Sequence, residues 1–114
     1  MAVAFPMPRF AFHAIPLATV KAASAPLADD LQALLGCPRE ELVFHVPTDH
    51  YVLDADLVSG PPFVEVAWFD RGLDVQDQVA RLLTEHLHRA GIPSVDVAFL
   101  PLARRAYYED GRPF

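Results

Sequence analysis

The sequence has only one cysteine, Cys37, among its 114 residues. A single cysteine excludes a disulfide within the chain, so a reducing compartment is the simplest setting and we expect a cytoplasmic protein. No apolar run reaches the length of about 18 residues that a membrane-spanning helix needs. Residues 1–6 have neither the basic start nor the long apolar stretch of a signal peptide. We therefore expect no membrane segment.

Basic residues are scarce as well, with nine Lys and Arg against 15 Asp and Glu and a formal net charge of −6. Nucleic acids and anionic membrane surfaces bind basic proteins, so we expect neither as a partner. Apolar residues make up 53% of the chain, which is enough for a packed core. The length fits one domain, so we assign 1–114 to a single domain whose residues 1–6 form an N-terminal extension.

Motifs for cofactors and metal ions are missing too. The chain has no glycine-rich phosphate loop and no Ser/His/Asp motif. Its five histidines show no metal-ligand spacing, and His86 and His88 lie two residues apart in a predicted helix, so they point in different directions. We therefore expect no cofactor and no metal site, and we expect Cys37 to be a small buried apolar group.

Alternating apolar residues predict four strands. They are 9–13, 42–46, 63–69 and 95–100. The segment 48–62 between the second and third strands is polar and is predicted to be irregular. Asp110-Gly111 predicts a turn near the C-terminus.

Apolar residues at helical spacing predict two helices. The first begins at Pro16 and ends before Gly36, and the second follows an N-cap at Asp74 and ends before Gly91. Pro26 interrupts the first pattern, so we expect a kink there or a division into two helices.

The two halves of the chain repeat the order strand, helix, Gly-x-Pro, strand. Gly36-Cys37-Pro38 lies 55 residues before Gly91-Ile92-Pro93. Such a repeat predicts an α+β fold in which two β-α-β units form one four-stranded sheet with both helices on one face. It places the strand that follows Pro8 at the edge of the sheet. The alternative is coincidence, because Gly-x-Pro is a common helix end.

Strand parity divides the side chains of this sheet between two faces. The face toward the helices is predicted to hold Phe10, Phe12, Leu42, Phe44, Val46, Val64, Val66, Trp68, Val95, Val97 and Phe99. The other face mixes Phe63 and Phe69 with charged groups such as Arg9 and Glu65, and exposed rings of this kind usually mark an interface. We expect other copies of the chain to cover that face. The alternative is a monomer covered by the segment 48–62 or by the C-terminal tail.

Several stretches carry a resemblance to a known family. They are Met7-Pro8-Arg9-Phe10, Pro62 to Gly72, Val75 to Ala80 and Phe99 to Gly111. The chain resembles a small bacterial domain-of-unknown-function family of the tautomerase superfamily, which includes macrophage migration inhibitory factor. The strand end Trp68-Phe69 and the tail Tyr107-Tyr108 are the more specific signals. The resemblance implies a homotrimer built around a barrel of three sheets, with a pocket at a subunit boundary.

The resemblance also implies a catalytic role for Pro8, because an N-terminal proline is the base in characterised superfamily members. A proline that begins a chain carries an amine with a pKa of about 7.7–8.0, whereas an internal proline is a nonbasic amide. An apolar pocket and nearby cations would lower that pKa toward neutral. Six residues precede Met7, and if the mature protein keeps them Pro8 is an amide that cannot be the base. Translation from Met7 followed by methionine removal would restore the amine, so we expect Met7 to be the natural start.

Three more residues are candidates for binding a small carboxylated substrate. Arg71 can pair bidentately with a carboxylate, and its alternative role is an ion pair with Asp70 or Asp74. Arg104 can act in the same way or lie on a solvated face. Tyr107 can donate a hydrogen bond to an enolate, or it packs across a subunit boundary.

Two functions remain open from the sequence. One is a tautomerase-like keto-enol isomerase that uses Pro8 as its base and takes a small-molecule substrate. The alternative is a non-catalytic oligomeric module that keeps the fold and binds a ligand or a partner protein.

Overall fold

The computed structural model describes residues 8–114, so the N-terminal extension and Met7 lie outside the described residues. The helices and strands are β1 (Arg9–His13), α1 (Leu17–Leu35), β2 (Phe44–His45), β3 (Tyr51–Leu53), β4 (Asp56–Val58), β5 (Phe63–Trp68), α2 (Leu73–Arg89), β6 (Asp96–Pro101), β7 (Tyr108–Glu109) and β8 (Arg112–Pro113). Two short 3₁₀ turns span Arg39–Glu41 and Arg104–Ala106. In this described part of the chain, neither helix is long and apolar enough to cross a membrane.

The main sheet has four strands in the order β2-β1-β5-β6. β1 is parallel to β2, with Phe10 opposite Phe44, and β5 is parallel to β6. Each parallel pair is joined by one helix, so the sheet contains two β-α-β units, as predicted. The units meet where β1 runs antiparallel to β5, with Phe10 opposite Val66. The expected edge position of the first strand is therefore wrong, because the two units join through their first strands and place β1 in the middle.

The core lies between the sheet and the two helices. All eleven residues predicted to face the helices are buried in this core or packed against it. α1 contributes Val20, Leu27 and Leu31, and α2 contributes Val79, Leu83 and Leu87. Burial of each such side chain stabilises the fold by about 1.5–3 kcal/mol relative to exposure. This packing holds both helices on one face and leaves the other face of the sheet to form a site.

The ends of the helices follow the predicted signals in part. Gly36 ends α1 with a left-handed φ of 68°, and its amide donates to the carbonyl of Gln32 at 2.8 Å. The helix passes through the exposed Pro26 without dividing. α2 begins two residues earlier than predicted, because Asp70 accepts the amide of Gly72 at 2.8 Å and closes the preceding turn. Asp74 therefore lies in the first turn of α2 and is not its N-cap, although a carboxylate there favours the helix dipole.

The segment 48–62 differs from the prediction of an irregular stretch. It contains the hairpin β3–β4, whose turn residues Asp54 and Ala55 have positive φ values of 50° and 71°. Two positive φ values fit the tight turns of hairpins, but the usual glycine is missing from this turn. β2 is also shorter than predicted, because the residues before it form the 3₁₀ turn Arg39–Glu41.

The tail forms a second hairpin, β7–β8, whose turn lies at Asp110 and Gly111 as predicted. It follows the 3₁₀ turn Arg104–Ala106. The amide of Phe114 donates to the carbonyl of Tyr107 at 2.8 Å, which ties the end of the described chain to the start of the hairpin.

Candidate functional site

A cavity of about 620 Å³ opens on the helix-free face of the sheet beside Pro8. Its lining includes Pro8, Arg9, Glu41, His45, Glu65 and Leu100. The strand residues among them are those whose parity points them away from the helices. The cavity therefore combines an apolar floor with several ionisable groups, which is the usual character of a ligand site.

Pro8 lies where three structural elements meet. It directly precedes β1, whose Arg9 pairs with Ala67 near the end of the antiparallel β5. β2 is parallel to β1, so the 3₁₀ turn Arg39–Glu41 that precedes β2 reaches the same end of the sheet. The end of β6 is fixed there too, because the amide of Leu102 donates to the carbonyl of Trp68 at 2.8 Å. Pro8 is fully buried at this junction.

Arg9 connects the cavity to the C-terminal tail. Its Nη2 donates to the hydroxyl of Tyr107 at 3.2 Å, and its guanidinium carbon lies 5.8 Å from the centre of the Tyr107 ring. The structure thus brings Tyr107 to the cavity through Arg9. Sequence reasoning placed Arg9 on this face but did not assign it to the site.

Phe69 is covered by an aromatic cluster that belongs to the C-terminal tail of the same chain. Its ring lies 5.4 Å from that of Tyr107 and 5.3 Å from that of Phe114, and only 4% of the residue is exposed. Arg104 sits over this cluster, with its guanidinium carbon 5.1 Å from the Phe69 ring. The tail therefore covers this end of the helix-free face, as the monomer alternative expected. Phe63 is half-buried at the opposite end of β5.

Arg71 contacts the end of the first helix. Its Nη1 donates to the carbonyl of Leu35 at 3.1 Å, which satisfies one of the carbonyls left open where α1 ends. A cation is also favourable at that end of the helix dipole. The structure places Arg71 within electrostatic reach of Glu41, whose pKa it lowers in part. Its predicted role in substrate binding stays a prediction.

Glu41 is one of three glutamates that line the cavity, and sequence reasoning did not assign it to the site. Within residues 8–114, its occluded Oε1 has no hydrogen-bond partner. Burial raises the pKa of Glu41, and the charge of Glu40 adds to that rise. Parallel pairing of β1 and β2 brings the residues before β2 to the end of the sheet where Pro8 lies. A prediction of that pairing could have identified Glu41 as a residue of the site.

A polar cluster occupies the other end of the sheet, around His13. Its Nδ1 lies 2.6 Å from Oδ2 of Asp49, and its Nε2 lies 2.8 Å from Oε1 of Glu65. Tyr51 donates its hydroxyl to the same Asp49 oxygen at 2.9 Å, and the ring of His13 stacks on Phe63 at 4.4 Å. These hydrogen bonds, from His13 first and Tyr51 second, lower the pKa of Asp49. A smaller cavity of about 390 Å³ borders Asp49 and Tyr51.

Two further ionisable residues have structural roles. His86 is buried on α2, and its Nε2 lies 2.7 Å from Oδ2 of Asp30 on α1, which joins the helices. Cys37 is buried and burial raises the pKa of its thiol, which confirms the prediction of a small apolar group. Across residues 8–114, no group of three or more His, Cys, Asp or Glu side chains is arranged to hold a metal ion.

Comparison with known proteins places this architecture in a family. Residues 7–113 match the family described as Domain of unknown function (DUF1904). A crystal structure of a DUF1904 domain from Sebaldella termitidis has 32% sequence identity and a TM-score of 0.84, and the match covers 95% of this chain and 100% of that one. None of the curated proteins is similar enough in sequence to match the chain.

More distant structures share the fold. The macrophage migration inhibitory factor of Toxoplasma gondii has 16% identity and a TM-score of 0.67, over 93% of this chain and 99% of that chain. A fused 4-OT, described as a wild-type asymmetric trimer, has 13% identity and a TM-score of 0.69, over 92% of this chain and 94% of that one. At such identities the likeness shows the fold alone, which is two helices against a mixed four-stranded sheet.

Proposed function

From the premise that the chain belongs to the DUF1904 family and has the fold of the macrophage migration inhibitory factors, we propose that it is a tautomerase-like protein. It moves a proton between carbon and oxygen of a small keto-enol compound in the cavity beside Pro8. The observation that carries this proposal is the fully buried Pro8 at the floor of a cavity of about 620 Å³.

The proposed base is the amine of Pro8 in a chain that begins there. That amine takes a proton from the carbon next to a carbonyl, and the electron pair left on carbon forms the enolate. The guanidinium of Arg9, in the same cavity, stabilises the negative oxygen. Leu100 and Val43 supply apolar surface to the cavity, and in the proposed homotrimer this surface would keep water from the reacting atoms.

This role of Pro8 requires a free terminal amine, and Met7 precedes it in the sequence. We propose that Met7 is the natural start and that the methionine is removed after translation. The intact mass of protein made from the native gene tests the proposal. A mass that begins at Met1 or Ala2 would contradict it.

We retain three proposed substrate contacts, with different requirements. Tyr107 acts through Arg9, whose guanidinium already donates to its hydroxyl. Arg71 would exchange its hydrogen bond with the carbonyl of Leu35 for a substrate carboxylate. Arg104 would extend from the ring of Phe69 toward the substrate.

We propose a homotrimer in which other copies cover the helix-free face. Val43 on this face is 72% exposed and Leu100 is 46% exposed, and both line the cavity. The hairpin β3–β4 adds exposed apolar side chains, including Leu57 at 74%. Large exposed apolar side chains that cluster on one face often mark an association site. Light scattering tests the assembly, and a clean monomer would contradict it.

The cytoplasmic location stays a prediction.

The second candidate function is a non-catalytic oligomeric module that binds a ligand or a partner protein in this cavity. It is favoured by one observation, that a chain retaining Met7 makes Pro8 an amide without a basic nitrogen. In such a chain the cavity keeps its shape and its charged groups but loses the proposed base.

Proton exchange separates the two functions. Phenylpyruvate is incubated in deuterated water with chains that begin at Pro8 and at Met1, and exchange at the carbon next to its ketone is followed by NMR. We expect the chain that begins at Pro8 to exchange that proton faster than the matched Pro8→Ala chain. Exchange no faster than the protein-free reaction in both the Met1 and Pro8 chains would favour the binding module.

A further inference from the structure

We propose that Glu41 is a second proton-transferring catalytic residue of this cavity, which moves the proton between the substrate's carbon and oxygen. This inference depends on the proposed function, since it names a group that carries out the same reaction. It differs from the proposed function in the residue that acts as the base, because the carboxylate of Glu41 can take up a proton whether or not Pro8 begins the chain.

The backbone of Glu41 is fixed by the turn that it ends. The amide of Glu41 donates to the carbonyl of Pro38 at 3.0 Å, and the next residue, Leu42, is buried. Arg39 anchors the start of the turn to α1, because its Nη1 donates to Oδ1 of Asp29 at 2.6 Å and its Nη2 to the carbonyl of Ala25. A general base must be held in place to act efficiently, and this turn holds Glu41 against the cavity.

The side chain of Glu41 has the surroundings expected of a base. Its Oε1 is occluded from solvent and has no hydrogen-bond partner within residues 8–114. A carboxylate oxygen without a donor is poorly stabilised when ionised, so it takes up a proton more readily. Burial raises the pKa of Glu41 above its ordinary value of 4.5, and the charges of Glu40 and of Glu109 on β7 add to the rise, whereas Arg71 opposes it. A base whose pKa is nearer to neutral is better matched to proton abstraction at physiological pH.

The other carboxylates of the cavity are less suited to this step. Glu65 has its Oε1 2.8 Å from Nε2 of His13, so that oxygen already has a polar neighbour. Glu40 is exposed to solvent, where water stabilises its ionised form. Among the three glutamates that line the cavity, Glu41 therefore combines occlusion with an unpartnered oxygen.

The reaction is a proton transfer within one bound molecule. In a chain whose Pro8 is an amide, the Glu41 carboxylate takes the proton from the carbon next to a carbonyl, the C–H electron pair becomes the carbon–carbon double bond, and a carbonyl electron pair moves to oxygen. The Glu41 carboxylic acid then gives the proton to that oxygen, which completes the enol and restores the carboxylate. Arg9 stabilises the oxygen while it is negative. No other reactant is needed.

Deuterium exchange into phenylpyruvate tests the proposal, in chains that begin at Met1 and at Pro8. Each chain is compared with its Glu41→Gln variant and with Glu85→Gln, which changes an exposed glutamate on α2. In the chain that begins at Met1, where Pro8 is an amide, we expect Glu41→Gln to lower the rate by about 10²–10⁴-fold, the usual contribution of a general base. Glu85→Gln should leave the rate unchanged.

The pH profile identifies the titrating group. We expect the rate of the active chain to rise with pH along a limb that reports ionisation of Glu41, because only the carboxylate takes up a proton. Glu41→Gln should remove this limb, and Glu41→Asp should keep it at a lower rate. If the exchange rate of Glu41→Gln rises with pH as that of its parent chain does, the group that titrates is not Glu41.

Stability gives a readout that does not depend on turnover. A pKa raised in the folded chain means that the ionised form is disfavoured there, so wild-type stability falls as pH rises from about 4.5 through the raised value. Glu41→Gln should remove this fall and be more stable than wild type at neutral pH. A variant that is less stable than wild type at neutral pH would overturn the description of Glu41 as an unsatisfied base.

The outcomes separate this inference from the proposed function. If Glu41→Gln exchanges as fast as its parent chain, the role of Glu41 is overturned while the tautomerase-like function stands. If neither the Met1 chain nor the Pro8 chain accelerates exchange, both proposals are overturned.

Discussion

Glu65 and His13 join the cavity wall to the polar cluster at the other end of the sheet, with Oε1 of Glu65 2.8 Å from Nε2 of His13. The second ring nitrogen, Nδ1, lies 2.6 Å from Oδ2 of Asp49. The Nδ1 contact has hydrogen-bond geometry, whereas the Nε2 contact with Glu65 is a close approach without it. Through these two contacts one imidazole connects the segment before β3 to β5.

Substitution of Asp49 should make stability less dependent on acid pH. The pKa of Asp49 lies below its ordinary 3.8 because His13 and Tyr51 donate to its carboxylate. Its stabilising contribution is thus complete above about pH 3.8 and is lost as pH falls through the lower, folded-state pKa. In thermal unfolding at several pH values, we expect Asp49→Asn to be less stable than wild type at neutral pH. The difference should shrink toward acid pH.

The control for this prediction is Asp77→Asn, at an exposed position of α2. It should follow the wild-type pH dependence. A deficit of Asp49→Asn that is the same at acid and neutral pH would show that its hydrogen bonds contribute no pH-dependent stability.

Removal of the Phe114 ring should uncover Phe69. The two rings stack at 5.3 Å, and an aromatic pair contributes about 0.5–1.5 kcal/mol beyond area burial. We expect Phe114→Ala to lower the free energy of unfolding by at least that amount in denaturant titrations. Hydrogen exchange of the hairpin β7–β8 should also become faster. Tyr108→Ala is the control, because Tyr108 is 53% exposed, and an equal loss in both variants would contradict the role of the cluster.

Pro26→Ala should stabilise α1. Pro26 lies within the helix and lacks the N–H that would donate to the carbonyl of Ala22, four residues earlier. Proline in a helix interior is about 3 kcal/mol less favourable than alanine, which sets an upper bound on the gain. Denaturant titration should show a higher midpoint for Pro26→Ala and little change for Pro93→Ala, which lies outside the helices. A lower midpoint for Pro26→Ala would mean that the proline is needed for packing.

Tyr107→Phe should weaken substrate binding if the proposed function is correct. The variant keeps the ring contact with Phe69 but removes the hydroxyl that accepts from Arg9. A typical hydrogen bond contributes about 0.5–1.5 kcal/mol, so we expect KM for phenylpyruvate to rise by roughly tenfold or less. Steady-state kinetics of the chain that begins at Pro8 measure this. Tyr108→Phe removes a hydroxyl that binds Arg105 instead and should leave KM unchanged.

Period-two alternation was sufficient to predict the packing of the sheet. It assigned the helix-facing residues of all four strands, because a strand with one buried face leaves little freedom in its register. The Gly-x-Pro stops predicted the ends of both helices for a local reason, since a left-handed residue followed by proline cannot continue a helix. The fold of the chain was therefore largely encoded in short-range patterns.

The site was less predictable because it depends on contacts between distant parts of the chain. The covering of Phe69 by Phe114 joins residues that no local pattern relates. Arg71 was predicted to bind a substrate carboxylate, but its guanidinium donates to the carbonyl of Leu35, which is also distant in the sequence. Glu41 was missed because the sequence alone did not show that its turn lies beside Pro8.

The antiparallel junction of β1 and β5 gives the sheet two ends of similar construction. At each end, one central strand begins where the other finishes: β1 begins beside the end of β5, and β5 begins beside the end of β1. Pro8 precedes one start and Pro62 precedes the other. The repeated β-α-β unit thus supplies two backbone frameworks from one architecture, and different side chains at a few positions give them different chemistry. An engineer who wishes to add a second ligand site to this protein can begin at the His13 end, where the backbone framework already exists.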